Sequence, residues 1–156
     1  MEAEAVGQVG SLVDPNMMAG AARAGRIAEV RAAGVGWVGS NKLVEIWCLF
    51  HGVHLAKNLG IRKLIVESNS AVEVAMMMGH FEVTVNCQNI VERLRGLLQD
   101  FESVVIQHVH REGNFAADFL SHYAYSFHKG VHVLEGPPPG MNVWLLHDRL
   151  GVTYLR

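Results

Sequence analysis

The sequence contains few cysteines. Its 156 residues include only two, Cys48 and Cys87, which lie far apart and form no CxxC pattern. A disulfide framework requires several cysteines, and structural zinc sites are typically built from closely spaced pairs. The composition therefore argues against both kinds of site and is typical of a reducing compartment.

Long apolar runs and leader peptides are also missing. No stretch approaches the roughly 18 apolar residues of a membrane span. The opening MEAEAVGQVG lacks the basic-then-apolar order of a secretory signal, and Glu2 and Glu4 disfavour a transit peptide. We therefore expect a protein of the cytosol or the nucleus without a membrane partner.

An excess of charge of either sign is the third feature that the chain lacks. The formal net charge is −2, so overall charge does not indicate a nucleic-acid partner, and only a local basic patch could do so. Half of the residues are hydrophobic and 18% are charged, as in ordinary soluble globular proteins. A chain of this length can bury the core of one domain.

Hydrophobic spacing predicts alternating helices and strands beyond residue 43. IRKLIVES and SVVIQHVH are short runs rich in β-branched residues and predict strands. Apolar residues recur at helical spacing, with Gly or capping residues at the ends, in four stretches: 43–60, 71–79, 86–99 and a last helix capped by Asn114. This alternation indicates an α/β domain with a mixed or partly parallel sheet.

The two ends of the chain differ from this regular middle. Residues 1–36 are rich in Gly and Ala with poor periodicity, and they predict neither a strand nor a helix. The tail 129–156 contains Pro137, Pro138 and Pro139, which are excluded from helix interiors and central strands, so we expect an extended surface segment. The predicted domain therefore covers residues 37–128.

Three polar residues, Glu45, Asn69 and Asp118, lie at ends of predicted elements that face the same edge of the sheet. Ligand sites in open α/β sheets form beyond the carboxyl ends of strands, where Asn69 follows LIVES. Each residue also has a structural explanation. Acidic residues in a first helical turn, where we place Glu45 and Asp118, are favoured by the helix dipole, and Ser-Asn-Ser is an ordinary helix cap.

The wider pattern around these residues is similar to a known family. The runs VEIWCLFHGVHLAKNLGIRKLIVESNS and IQHVHREGNFAADFLSH, and a tail with PPP and LLHDRLGV, resemble the type 1 ribonuclease H domain of plant non-LTR retroelement reverse transcriptases. The resemblance spans residues 43–156. It implies a ribonuclease H-like mixed sheet flanked by helices and an RNA–DNA hybrid as the partner.

The resemblance also implies a reaction. Members of this family use four carboxylates to hold two Mg²⁺ ions for hydrolysis of the RNA strand. Glu45 and Asp118 fall on two of these carboxylates, and Asn69 falls on a third, the aspartate of the family's ESDS motif. His108 falls on the histidine that assists proton transfer or product release.

Two further residues are expected to touch nucleic acid. Asn114 occupies a position where the family commonly has an asparagine in contact with the hybrid backbone. Arg111 is one of the basic residues that could meet phosphates, although surface solubility explains such residues equally well.

The chain departs from the family at two places. An amide at Asn69 keeps an oxygen ligand but contributes no negative charge, so a divalent cation is attracted less strongly. The TDGA strand that begins the family's domain is missing, and the only aspartate before Glu45 is Asp14. Either Asp14 replaces the missing ligand, or the first strands are remodelled or degenerate.

These observations leave three functions open. The first is an Mg²⁺-dependent endoribonuclease for RNA–DNA hybrids, impaired at Asn69 and in the first strand. The second is a catalytically inactive module that keeps the fold and binds nucleic acid. The third is a protein-interaction domain, which would show neither hybrid affinity nor the salt dependence that phosphate contacts impose.

Overall fold

The computed structural model describes residues 12–13, 30–33, 41–110, 113–123, 126–127, 130–134 and 136–150. The elements follow in the order β1 (Leu12–Val13), β2 (Val30–Ala33), α1 (Asn41–Asn58), β3 (Lys63–Ser68), α2 (Ala71–Met78), α3 (Val85–Leu98), β4 (Ser103–His108), α4 (Phe115–Tyr123), β5 (Gly130–Val133) and α5 (Asn142–Leu150). Every helix and strand predicted between residues 43 and 123 is present, with ends that differ by a few residues.

The described strands form two small sheets. β3 lies between β1 and β4 in the first sheet, parallel to β4 and antiparallel to β1. β2 and β5 form an antiparallel pair, in which Val30 lies opposite Val133. The first sheet is therefore mixed, which confirms the predicted α/β class.

The main core lies between β3 and the helices α1, α2 and α3. Leu64, Val66 and Ser68 alternate along one buried face of β3, as the two-residue period of a strand requires. The helices cover this face with side chains that are almost fully buried, including Ile46, Leu49, Val53, Met76, Val91 and Leu94. This core fixes the position of the β3–α2 junction, where the candidate site lies.

Helix α2 is bounded by the caps that its sequence predicts. The Ser70 side chain accepts a hydrogen bond from the backbone N–H of Glu73 at 3.4 Å. At the other end, Gly79 has a φ of 80°, and its N–H bonds back to the last turn of the helix. A residue with a Cβ is disfavoured in this left-handed conformation, so glycine is the natural choice here.

Replacing Gly79 with alanine should lower the free energy of unfolding by about 1 kcal/mol, because a Cβ strains the left-handed backbone. Gly96→Ala is the matched control, since Gly96 lies within α3 and a Cβ there meets no atom within 4 Å. It should stabilise the fold by roughly 0.5–1 kcal/mol through higher helix propensity. Urea unfolding measures both changes, and two changes of the same sign would contradict the prediction.

The two ends of the chain contain more structure than their sequences predicted. β1 and β2 lie within residues 1–36, and both strands pair with partners far away in the sequence. Such pairing produces no local periodicity, which explains why neither strand was predicted. The remaining residues of 1–36 lie outside the described residues.

The expectation of an extended tail was wrong, because β5 and α5 lie within residues 129–156. The prolines were correctly excluded from helix interiors, but they precede α5 and therefore do not interrupt it. The turn that begins the helix contains a hydrogen bond from the Met141 N–H to the Pro138 carbonyl, at 3.1 Å. The Trp144 ring stacks on Phe115 with centroids 5.1 Å apart, which joins α5 to α4.

Among the helices of the described residues, none is both long enough and apolar enough to cross a bilayer.

Candidate nuclease site

The carboxyl ends of β3 and β4 place two of the predicted site residues side by side. Ser68 and His108 are partners in the parallel register, and the Val109 N–H donates to the Ser68 carbonyl at 2.9 Å. Asn69 follows Ser68 directly and is half-buried, whereas His108 is exposed. The structure thus brings Asn69, which was predicted at this edge, and His108, the last residue of β4, to the same edge of the sheet.

Glu45 lies on α1, and its position within the helix differs from the predicted one. The helix begins at Asn41, so Glu45 belongs to the second turn rather than the first. The helix dipole acts chiefly on the first turn and therefore does not account for this carboxylate. Glu45 is half-buried, and its carboxyl group lies beside that of Glu73.

Glu73 is a buried acidic residue that the sequence analysis missed. It lies in the first turn of α2 and is only 2% exposed. The Ser68 hydroxyl, also buried, donates a hydrogen bond to Glu73 Oε2 at 2.7 Å. The other oxygen, Oε1, is buried without a hydrogen-bond partner among the described residues. Most buried polar oxygens are paired, so this atom requires an explanation.

The pKa of Glu73 is raised to about 9, chiefly because the buried carboxylate loses its hydration. The hydrogen bond and the charge of the neighbouring Glu45 carboxyl contribute to this rise, and the hydrogen bond from Ser68 opposes it. In the absence of a cation, Glu73 is therefore protonated at neutral pH.

The sequence does contain a signal for Glu73. It is the only charged residue in AVEVAMMM, and it lies three and four positions before Met76 and Met77, both of which are buried. A carboxyl group on the apolar face of a short helix is costly unless something pairs with it. Helical periodicity alone does not reveal what surrounds this carboxyl group.

Asp118 lies in the first turn of α4, as predicted. Its Oδ2 is 3.8 Å from His122 Nδ1, and its backbone N–H donates to the Asn114 carbonyl at 3.0 Å. Asp118 does not join Glu45 and Glu73 in a metal-binding group, since the described residues contain no such group of three or more His, Cys, Asp or Glu side chains.

Asn114 begins α4 through its backbone, and the predicted side-chain cap is wrong. Its Oδ1 accepts no hydrogen bond within the described part of the chain, and the residue is only 2% exposed. A side chain buried in this way does not present its amide to a ligand at the surface. Contact between Asn114 and a nucleic-acid backbone stays a prediction.

Asp14 and Arg111 lie outside the described residues, and their predicted roles stay predictions. The backbone before Asp14 gives one relevant observation. β1 is antiparallel to β3, with Leu12 opposite Val66 and Val13 opposite Ile65. The chain from Leu12 to Val13 therefore runs away from the Ser68 end of β3.

The residues present fit a divalent cation only in part. Glu45 and Glu73 offer two carboxyl groups, and the unpartnered Oε1 of Glu73 is an oxygen ligand of the kind that Mg²⁺ prefers. A four-carboxylate site for two ions is not assembled by the described residues. The geometry therefore fits one hard cation better than two.

Comparison with known proteins identifies the fold. The structure is similar to the N-terminal ribonuclease H domain of a Mycobacterium tuberculosis protein solved as a fusion with maltose-binding protein, with a TM-score of 0.52 and 25% identity over 55% of this chain and 63% of that one. It is also similar to ribonuclease H1 of the archaeon Halobacterium salinarum, with a TM-score of 0.53 and 22% identity over 64% of this chain and 83% of that one. The chain is a ribonuclease H-like domain.

Sequence comparison gives the family. Residues 20–124 match the profile of the reverse transcriptase-like family, and the chain belongs to that family. A protein of Arabidopsis thaliana named for ribonuclease H is 31% identical over 109 residues, which cover 70% of this chain. The chain spans only 18% of the length of that relative.

Proposed function

We propose that this domain binds RNA–DNA hybrids and hydrolyses the RNA strand with the help of Mg²⁺, at a rate lowered by the amide at Asn69. One observation carries the proposal: Asn69 and His108 lie at the carboxyl ends of two adjacent parallel strands, in a chain of this family. The Arabidopsis relative is named for ribonuclease H, and an origin in a plant non-LTR retroelement stays an expectation from the sequence resemblance. The extent of the domain, residues 37–128, and its cytosolic or nuclear location stay predictions.

The proposed site residues would bind the cation, transfer a proton or supply a neutral oxygen ligand, each according to its chemistry. Glu45 and Asp118 would hold Mg²⁺, which when bound activates a water molecule and stabilises the leaving oxygen. The exposed imidazole of His108 can accept or donate a proton at the edge of the site. Asn69 can offer its amide oxygen to the cation but no charge, and this accounts for the expected loss of rate.

A hybrid-binding module without catalysis is the second candidate. Two observations favour it: the amide at Asn69, and the absence of a metal-binding group of three in the described ranges. Binding in the presence of a chelator would follow from both candidates. Cleavage would follow only from the first, so the two measurements together separate them.

Cleavage of a labelled RNA–DNA hybrid in Mg²⁺ should be detectable with the native chain and fall by about 100-fold or more in Glu45→Gln, because an amide cannot supply the lost charge. Asn69→Asp should raise the rate about tenfold or more, since it restores a carboxylate. Glu92→Gln, an exposed residue on α3, is the control for loss of one negative charge. Cleavage by Glu45→Gln at the native rate would refute the proposed site. Hybrid binding without cleavage, even in Asn69→Asp, would favour the second candidate.

A further inference from the structure

The pair formed by Glu45 and Glu73 is an unusual arrangement of charge. Glu73 is almost completely buried, and one of its oxygens already accepts the Ser68 hydroxyl. The other oxygen, Oε1, accepts no hydrogen bond from the described residues, and the Glu45 carboxyl lies close enough to share a proton with the Glu73 carboxyl. Within the described ranges, the ion pairs of basic side chains involve neither carboxyl group.

The position of Glu73 relates it directly to the altered residue Asn69. β3 ends at Ser68, Asn69 follows, and Ser70 caps α2, whose first turn contains Glu73. Asn69 and Glu73 therefore belong to one strand–helix junction. The Ser68 hydroxyl holds this junction together, since it accepts from the Ser70 N–H at 3.0 Å while it donates to Glu73.

A hard divalent cation is the ligand that suits this pair of carboxyl groups. Mg²⁺ and Mn²⁺ prefer oxygen ligands, and Mg²⁺ is commonly bound through one or two carboxylates together with water. A soft metal would require sulfur or imidazole ligands. The described residues place no His or Cys together with Glu45 and Glu73 as a third ligand.

We infer that Glu73 supplies the carboxylate that the chain lacks at Asn69, so that Glu45 and Glu73 together hold one divalent cation at the carboxyl end of β3. This inference deepens the proposed function and rests on it. Ser68 is then a positioning residue, because its hydroxyl fixes one Glu73 oxygen and leaves the other for the cation.

Calorimetric titration with Mg²⁺ and with Mn²⁺, without nucleic acid, tests the inference on the full chain. Glu73→Gln and Glu45→Gln should each weaken cation binding by about 10-fold to 100-fold or more, because each removes a charged ligand. Glu92→Gln should bind as the native chain does. Asn69→Asp introduced into the Glu73→Gln variant should restore the affinity, since it returns a carboxylate to the same junction.

The outcomes separate this inference from the proposed function. If Glu73→Gln binds the cation as tightly as the native chain while Glu45→Gln does not, Glu73 is not a ligand and the inference fails alone. If Glu45→Gln also binds normally, or the native chain binds neither cation at millimolar concentration, the proposed Mg²⁺ site fails as well. Circular dichroism verifies that each variant is folded, and glutamine keeps the shape of the buried side chain.

Discussion

Glu73→Gln should be more stable than the native chain at about pH 8 by a few kcal/mol, and equally stable near pH 4.5. Burial and the neighbouring Glu45 raise the pKa of Glu73 from its ordinary value of 4.5 to about 9. Glutamine fills the same space without an ionisable group. The free energies of unfolding of the two chains therefore differ only at pH values where Glu73 is protonated in the folded chain and ionised in the unfolded chain.

The sign follows from the order of the two pKa values. Below pH 4.5 the glutamic acid is protonated in both the folded and the unfolded chain, and its stability contribution is fully present. Between pH 4.5 and about 9 the unfolded chain releases the proton while the folded chain retains it. Each pH unit in this window lowers the free energy of unfolding by up to about 1.4 kcal/mol. Above the folded-state pKa the contribution is lost.

Urea unfolding in a chelator at about pH 5, 6.5 and 8 measures the effect. The other titrating groups are common to both chains, so the difference between them isolates Glu73. Glu92→Gln, which removes an exposed carboxylate, should show no comparable dependence on pH. A stability difference between Glu73→Gln and the native chain that stays constant from pH 5 to 8 would contradict burial of a protonated Glu73.

Substitution of Glu73 is expected to have opposite effects on stability at neutral pH and on cation binding. A buried acidic group lowers stability at neutral pH unless a ligand compensates it. Glu73→Gln is therefore expected to gain stability and lose cation affinity at the same time. Such an exchange between stability and binding is typical of residues that belong to functional sites.

Met141→Ala should lower the free energy of unfolding by about 2–5 kcal/mol, the range for truncation of a buried large side chain. Met141 is fully buried and packs with Ala116 and Leu120 of α4. The substitution removes a buried side chain from the cluster in which α4 and α5 pack together. Urea unfolding followed by circular dichroism measures the loss.

Met78→Ala is the matched control, because Met78 is 49% exposed at the end of α2. It should change the free energy of unfolding by less than about 0.5 kcal/mol, as for other surface positions. Equal unfolding midpoints for Met141→Ala and Met78→Ala would contradict the contribution of the buried Met141 side chain to stability.

Local sequence was sufficient to predict the middle of the fold. The apolar spacing of Ile46, Leu49 and Val53 predicts α1, and their burial confirms the predicted face. Ser70 and Gly79 mark both ends of α2, and each adopts its capping conformation. In these elements, propensity, periodicity and caps all favour the same structure, which makes them predictable.

The elements at the ends of the chain depend on partners that no local pattern reveals. β1 has two residues, and β2 pairs with β5 although most of the other elements lie between them in the sequence. The candidate site shows the same division. Asn69 is predictable because it follows a strand, and His108 because it falls on a position of the family motif. The pairing of Glu73 with Glu45 instead depends on how α2 packs beside α1. The place of Glu45 in a second turn and the burial of Asn114 are likewise results of packing.

The pairing of β2 with β5 has a practical consequence for choosing domain boundaries. The region that matches the family profile, residues 20–124, contains β2 and omits β5. A fragment ending at residue 124 would leave the backbone N–H and carbonyl groups along one side of β2 without the partners that β5 supplies. Unpaired strand edges of this kind promote association between molecules. The shortest fragment that behaves as a monomer should therefore extend beyond Val133, and fragments cut at the profile boundary should aggregate.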